Sequence, residues 1–174
     1  MKERSRNRVP VDRKVSTVPS ETDVIAELHK QGIPALPGKA LGQQWADVIA
    51  YGAVLIEVKS AKRHYRGSYN FGFTPSQRAG KLRGDLVVLV CKHDDGNTFH
   101  VFYANNPVFY GDDGKLKTGI AWTPNAKHKG RFISLTDEMM YHAQDNWDLV
   151  EDHLTKICAR LAMGYQLPIR LIAA

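Results

Sequence analysis

Asp47, Glu57 and Lys59 are the side chains whose types and spacing could do chemistry together in this 174-residue chain. They fall within Trp45–Lys62, WADVIAYGAVLIEVKSAK, which reads as a strand, a tight turn and a second strand. Val48, Ile49 and Ala50 run up to Tyr51-Gly52, and the chain returns through Val54, Leu55 and Ile56. Side chains alternate between the faces of a half-buried strand, so Leu55, Glu57 and Lys59 share one side while Val54, Ile56 and Val58 share the other. Asp47 stands ten residues before Glu57, at the head of the partner strand, and a hairpin swings it towards Glu57. Carboxylates converging at a strand end repel one another unless a proton or a cation relieves them. A divalent metal site with a lysine beside it is the economical reading. The plainer alternative, a surface ion pair, is worth under about 1 kcal/mol and leaves the apolar strand and Asp47 unexplained.

The elements that must position these residues can be read from the same sequence. Ser20 is the expected N-cap of a helix, with Asp23 closing a capping box, Val24, Ile25, Leu28 and Gln31 at helical spacing, and Gly32 as the stop. Glu21 stands in its first turn, where a carboxylate also simply favours the helix dipole. Ile33–Gln44, with Pro34, Pro37, Gly38 and Gly42, is expected to be a loop. In Ser60–Thr74 basic and aromatic residues interleave. Such a loop pairs cations with phosphates and stacks Tyr65, Tyr69 or Phe71 on bases, although Phe71 and Phe73 fit a core-facing strand better. Pro75 and Ser76 start a short helix bearing Gln77, Arg78, Lys81 and Arg83, closed by Gly84. Asp85–Lys92 is an apolar run of the length of a buried strand, and Thr98–Ala104 returns after a turn at Asp94–Asn97. Asp94 and Asp95 read as solvated turn residues rather than calcium ligands. Cys91, His93 and His100 lack the paired spacing of a zinc site, so zinc is not expected from sequence.

Asn105–Phe132 is loop-rich, with a turn at Gly111–Gly114, a strand at Gly119–Thr123 and a basic cluster of Lys127, His128, Lys129 and Arg131. Thr136 caps an acidic helix start at Asp137-Glu138. Trp147, Val150, Leu154, Ile157, Cys158 and Leu161 then form one apolar helical face, ended at Gly164 and expected to pack across a sheet.

Asp47 followed by Glu57-x-Lys59 across a hairpin resembles the signature of the PD-(D/E)XK nuclease superfamily, most closely the archaeal-type Holliday junction resolvases and their relatives. The likeness spans residues 20–104 and rests on Glu21 near a helix start, Ala46-Asp47-Val48-Ile49-Ala50, Ile56-Glu57-Val58-Lys59-Ser60, and Gln77 opening the next helix. Glu-x-Lys alone is weak: Asp12-x-Lys14 and Asp113-x-Lys115 have a similar form, but neither follows an apolar strand with a second carboxylate behind it. The resemblance implies an α/β fold, a restriction-endonuclease-like sandwich with a mixed central β-sheet of four or five strands flanked by helices. It implies a metal-dependent endodeoxyribonuclease using Mg²⁺, with Mn²⁺ as the alternative. Asp47 and Glu57 would be direct ligands and the Val58 carbonyl a third. Glu21 would act directly or through water, with Glu27 the alternative acid on that helix. Lys59 would orient or deprotonate the attacking water, and Gln77 would position water or phosphate. DNA is the implied partner, possible contacts being Lys39, Lys62, Arg63, Arg66, Arg78 and Lys81. Branched DNA such as a Holliday junction fits the nearest relatives. However, Pro37-Gly38-Lys39-Ala40 lacks the serine of their Gly-Ser element, which weakens that finer assignment. A restriction- or repair-type nuclease, or a silent nucleic-acid-binding module with this fold, stay as alternatives. The intact Asp47/Glu57/Lys59/Gln77 set argues against the silent module. A homodimer is the arrangement that cutting two opposed strands calls for.

Charge and composition agree with a polyanionic partner. The formal charge is +6. Residues 1–14 carry six Lys/Arg against two acids, Glu57–Arg83 seven against Glu57 alone, and Asp137–Asp152 six acids with no Lys or Arg. Residues 1–19 read as a basic disordered arm, and 20–174 as a single nuclease-like domain. That domain divides into a core at 20–104, a loop-rich insertion at 105–133 and C-terminal helices at 134–163. No apolar run reaches membrane-span length and no signal-peptide core is present, so a cytoplasmic, nucleoid-associated protein without a membrane partner is expected. Cys91 and Cys158 read as reduced core residues.

Overall fold

The computed structural model describes residues 19–43, 46–64, 66–73, 84–105, 107–110, 115–118 and 132–165. The basic arm, Tyr65, Gln77, Arg78, Lys81 and Arg83, the turn at Gly111–Gly114, the strand expected at Gly119–Thr123 and the Lys127–Arg131 cluster lie outside the described residues.

Helix α1 spans Pro19–Lys30. A proline at the first helical position loses no hydrogen bond, because that N–H has no helical partner anyway. Its buried residues Ser20, Glu21, Val24 and Leu28 form one face, and Gly32, at φ +76, supplies the left-handed stop. The capping expectation needs correction. Ser20 lies inside the helix and is buried, and its hydroxyl donates to Ser60 Oγ at 2.8 Å. Asp23 accepts from Asn97 Nδ2 at 3.0 Å rather than closing a box. The segment expected to be all loop also carries structure: strand β1 (Ala35–Pro37) and a 3₁₀ turn over Gly38–Leu41. Pro37 is tolerated because β1 is the edge strand of its sheet.

Strands β2 (Val48–Ala50) and β3 (Val54–Lys62) form the expected hairpin, Val48 opposite Ile56 and Ala50 opposite Val54, with Tyr51 and Gly52 in the left-handed region at its turn. Then follow β4 (Tyr69–Gly72), β5 (Leu86–Lys92), β6 (Asn97–Tyr103), β7 (Val108–Tyr110), β8 (Leu116–Thr118) and β9 (Phe132–Leu135). Helices α2 (Asp137–Met140) and α3 (Asp148–Ala162) close the described part. Among the described residues the main sheet has five strands in the order β1-β2-β3-β5-β6. Since β3 and β5 are parallel and the other pairs antiparallel, it is mixed, as expected. β4 pairs with β9, and β7 with β8, in two-stranded ribbons.

Period-2 alternation decides the layers. Val54, Ile56 and Val58 of β3, with Leu86, Val88 and Val90 of β5, face α1 and α3 through Val24, Leu28, Trp147 and Val150. On the opposite face Val87, Leu89 and Cys91 meet Tyr69 and Phe71 of β4 and Met140 of α2. β5 is covered on both sides, which is why its sequence is an unbroken apolar run. Phe71 and Phe73 are core residues as expected, but Tyr69 and Phe71, both fully buried, cannot stack on bases. α3 packs on the sheet only over its first turns. Ile157 is buried, Leu161 is 43% exposed, and Cys158 is exposed rather than a core thiol. No helix among the described residues is long and apolar enough to cross a membrane.

Candidate functional site

Asp47 immediately precedes β2, and its N–H donates at 3.1 Å to the carbonyl of Ile56, the β3 residue that Val48 also faces. β2 begins only at Val48, so Val58 of β3 has no strand residue opposite it. The Asp47 carboxylate fills that role, its Oδ2 accepting the Val58 N–H at 2.8 Å. On its other side Asp47 is tied to the 3₁₀ turn, since its carbonyl accepts the Gly38 N–H at 3.0 Å. A Cβ on Gly38 would collide with the Ala46 carbonyl, so only glycine allows this approach.

Glu57 and Lys59 share the opposite face of β3 from Val58, as the alternation requires. Glu57 is 7% exposed, and its Oε1 lies 2.6 Å from Lys59 Nζ. Lys59 also lies over the buried Phe73 ring, 5.9 Å from its centroid. Gly84 and Asp85 lock the same stretch of β3. The Asp85 N–H donates to the Leu55 carbonyl at 2.7 Å, and Asp85 Oδ2 accepts the Leu55 N–H at 2.9 Å. A Cβ on Gly84 would stand 3.1 Å from the Glu57 nitrogen.

Glu21 is buried in the first turn of α1, and its neighbour Ser20 is bonded to Ser60, the residue after Lys59. Glu27, the alternative acid, pairs instead with Lys30 at 2.9 Å and accepts from Gln31 at 3.1 Å. The Lys30 hydrogen bond holds its carboxyl below the ordinary carboxylate range.

Of the basic residues, Lys39 is exposed on the turn that grips the Asp47 main chain. Lys62 ends β3 in register with Lys92 of β5. It is five residues past Glu57, roughly 17 Å at a strand's rise per residue. Arg63 and Arg66 are exposed beyond it, with Arg63 Nη2 3.8 Å from Asp137 Oδ2.

A second cluster escapes sequence reading. Ligand atoms of Cys91, His100 and Asp137 all lie within 4.8 Å of one another. Cys91 and His100 are diagonal neighbours on β5 and β6, and Asp137 arrives from the start of α2. Burial pushes the Cys91 thiol up to about 12, with the Asp137 charge adding to it. Burial lowers His100, opposed by the Met140 carbonyl and by Asp137. Burial, then Asp137 and Cys91, pushes the nearby Tyr69 hydroxyl up to about 12. The ligands come from three elements with no short spacing among them, so no sequence signal could have grouped them.

No protein-family model and no curated protein sequence matches this chain. Among solved structures, the bacterial homing endonuclease I-Ssp6803I resembles it with a TM-score of 0.49 at 18% identity, over 83% of this chain and 92% of that one.

Proposed function

We propose that this chain is a metal-dependent endonuclease that hydrolyses phosphodiester bonds in DNA. Two contacts on β3 support the reading: the Asp47 carboxylate accepts the Val58 N–H, and Glu57, the residue before Val58, is paired with Lys59. Two features make this more than a surface ion pair. Glu57 is buried, and Asp47 is fixed between β3 and the 3₁₀ turn.

The donors suit a hard cation. Carboxylate oxygens carry about four lone-pair sites, so Asp47 can accept from Val58 and still offer Oδ1 to a metal. A residue's N–H and C=O face the same neighbouring strand, so the Val58 carbonyl is directed to the side where β2 has ended. Asp47, Glu57 and this carbonyl would hold Mg²⁺ or Mn²⁺, with Glu21 of α1 closing the site directly or through water. When bound, such an ion supplies charge neutralisation at the phosphate and an acidified water. Lys59, steadied by Glu57 and Phe73, orients or deprotonates the attacking water and offsets charge developing on the phosphate. Gln77 would position water or phosphate. Lys39, Lys62, Arg63, Arg66, Arg78 and Lys81 would hold the DNA backbone.

Selectivity for Holliday junctions or other branched DNA, and a homodimer matching two opposed strands, are the finer parts of the proposal. Incubating the full chain with linear, single-stranded and four-way-junction DNA, in Mg²⁺ or in EDTA, tests all but the dimer. Cleavage in Mg²⁺ alone supports the reading; no cleavage of any substrate in Mg²⁺ or Mn²⁺ overturns it.

A further inference from the structure

We propose that Cys91, His100 and Asp137 form a second metal site, built for a borderline-soft divalent ion of the zinc type, which fastens the α2 layer to the main sheet. The geometry comes first. One ligand atom from each residue already lies within 4.8 Å of the other two. Tetrahedral zinc, with bonds of about 2.0–2.3 Å, sets its ligand atoms about 3.3–3.8 Å apart, so the site needs a contraction of about 1 Å, within reach of side-chain rotation.

His100 gives an independent sign of a ligating role. It is 1% exposed, its Nδ1 is 3.1 Å from the Met140 carbonyl, and among the described residues its Nε2 has no hydrogen-bond partner. A buried polar nitrogen left unpaired costs about 1–3 kcal/mol. The carbonyl fixes the proton on Nδ1, which turns the Nε2 lone pair into a ligand. Metal-bound histidines are oriented by this kind of backbone acceptor.

The donor set favours zinc over magnesium. Thiolate and imidazole suit Zn²⁺, whereas Mg²⁺ takes oxygen donors. Three protein ligands leave a fourth position for water. Asp137 has a 41% exposed side chain and gives an ion access from solvent. Without a cation, burial keeps the Cys91 thiol protonated, so binding must release that proton. The site is separate from Asp47 and Glu57. Cys91 is in register with Ala61, four residues along β3 from Glu57.

The test is cobalt substitution in the metal-stripped full chain. One equivalent of Co²⁺ is expected to give a thiolate-to-cobalt charge-transfer band and intense tetrahedral d–d bands, both displaced by Zn²⁺. Cys91→Ser should lose the charge-transfer band, while Cys158→Ser and Glu57→Gln keep it. Should Cys91→Ser not fold, Asp137→Asn at its half-exposed position serves instead, with at least a tenfold loss of Co²⁺ affinity expected. A wild-type protein without the band, a band that leaves with Cys158, or unchanged affinity in Asp137→Asn would each overturn the proposal.

Discussion

Asp47 and Val58 complete a strand pairing that the backbone alone leaves unfinished. A carboxylate oxygen accepts the Val58 N–H at 2.8 Å where a β2 carbonyl would otherwise stand. The same side chain therefore supports the sheet edge and supplies charge to the candidate site.

These two duties are separable by mutation. Asp47→Asn keeps an amide oxygen for Val58 but removes the charge, so stability should hold while Mg²⁺-dependent cleavage is lost. Asp47→Ala leaves the Val58 N–H without its acceptor and should also cost about 1–3 kcal/mol in denaturant unfolding. Equal stability of the two variants would deny the structural duty, and cleavage by Asp47→Asn would deny the catalytic one.

Gly84→Ala tests how tightly the Glu57 strand is held. The added Cβ would meet backbone at Leu86 O (2.8 Å), Leu55 O (3.0 Å) and Glu57 N (3.1 Å), none of which can swing aside. Overpacking of this kind costs about 1–3 kcal/mol. At roughly 2–4 °C per kcal/mol for a chain of this length, melting should fall by several degrees. Cleavage should weaken with it. A melting temperature equal to wild type would show that Gly84 is not clamped.

The basic residues should act through phosphate rather than sequence. Lys39→Ala and Lys62→Ala are expected to weaken DNA binding about equally across sequences, each lowering the salt slope by roughly one. Binding that is insensitive to salt would place the DNA elsewhere.

The two thiols should behave differently. Cys158 is exposed and Cys91 buried, so an aromatic disulfide reagent should label one thiol in the folded protein and two after denaturation. Rapid labelling of both in the native state would contradict the packing of β5.

Much of this was legible in the sequence because it is local. The β2–β3 hairpin shows as alternation around Tyr51-Gly52, β5 as an unbroken apolar run, and α3 as a helical stripe that Gly164 stops at φ +81. What stayed hidden depends on distant partners. Ser20 has the residue type of a cap, but Ser60, forty positions away, takes its hydroxyl. β1 is three residues long, ends in proline, and exists because Ala35 finds Ala50. Cys158 belongs to the apolar stripe in sequence, yet it is exposed, as is Leu161 one turn on, because only the stripe as far as Ile157 reaches the core. Within the candidate site, the Glu57–Lys59 face followed from alternation alone, whereas the Asp47–Val58 bond required the register. The Cys91–His100–Asp137 cluster required β5, β6 and α2 to meet.

The most direct measurement is single-turnover cleavage of DNA in Mg²⁺ by wild type and by Glu57→Gln, with DNA affinity measured alongside in EDTA. Losing one buried charge that stabilises the transition state should slow cleavage at least about 10²-fold while affinity and fold stay close to wild type. A Glu57→Gln protein that cuts DNA at the wild-type rate would contradict the proposed metal site.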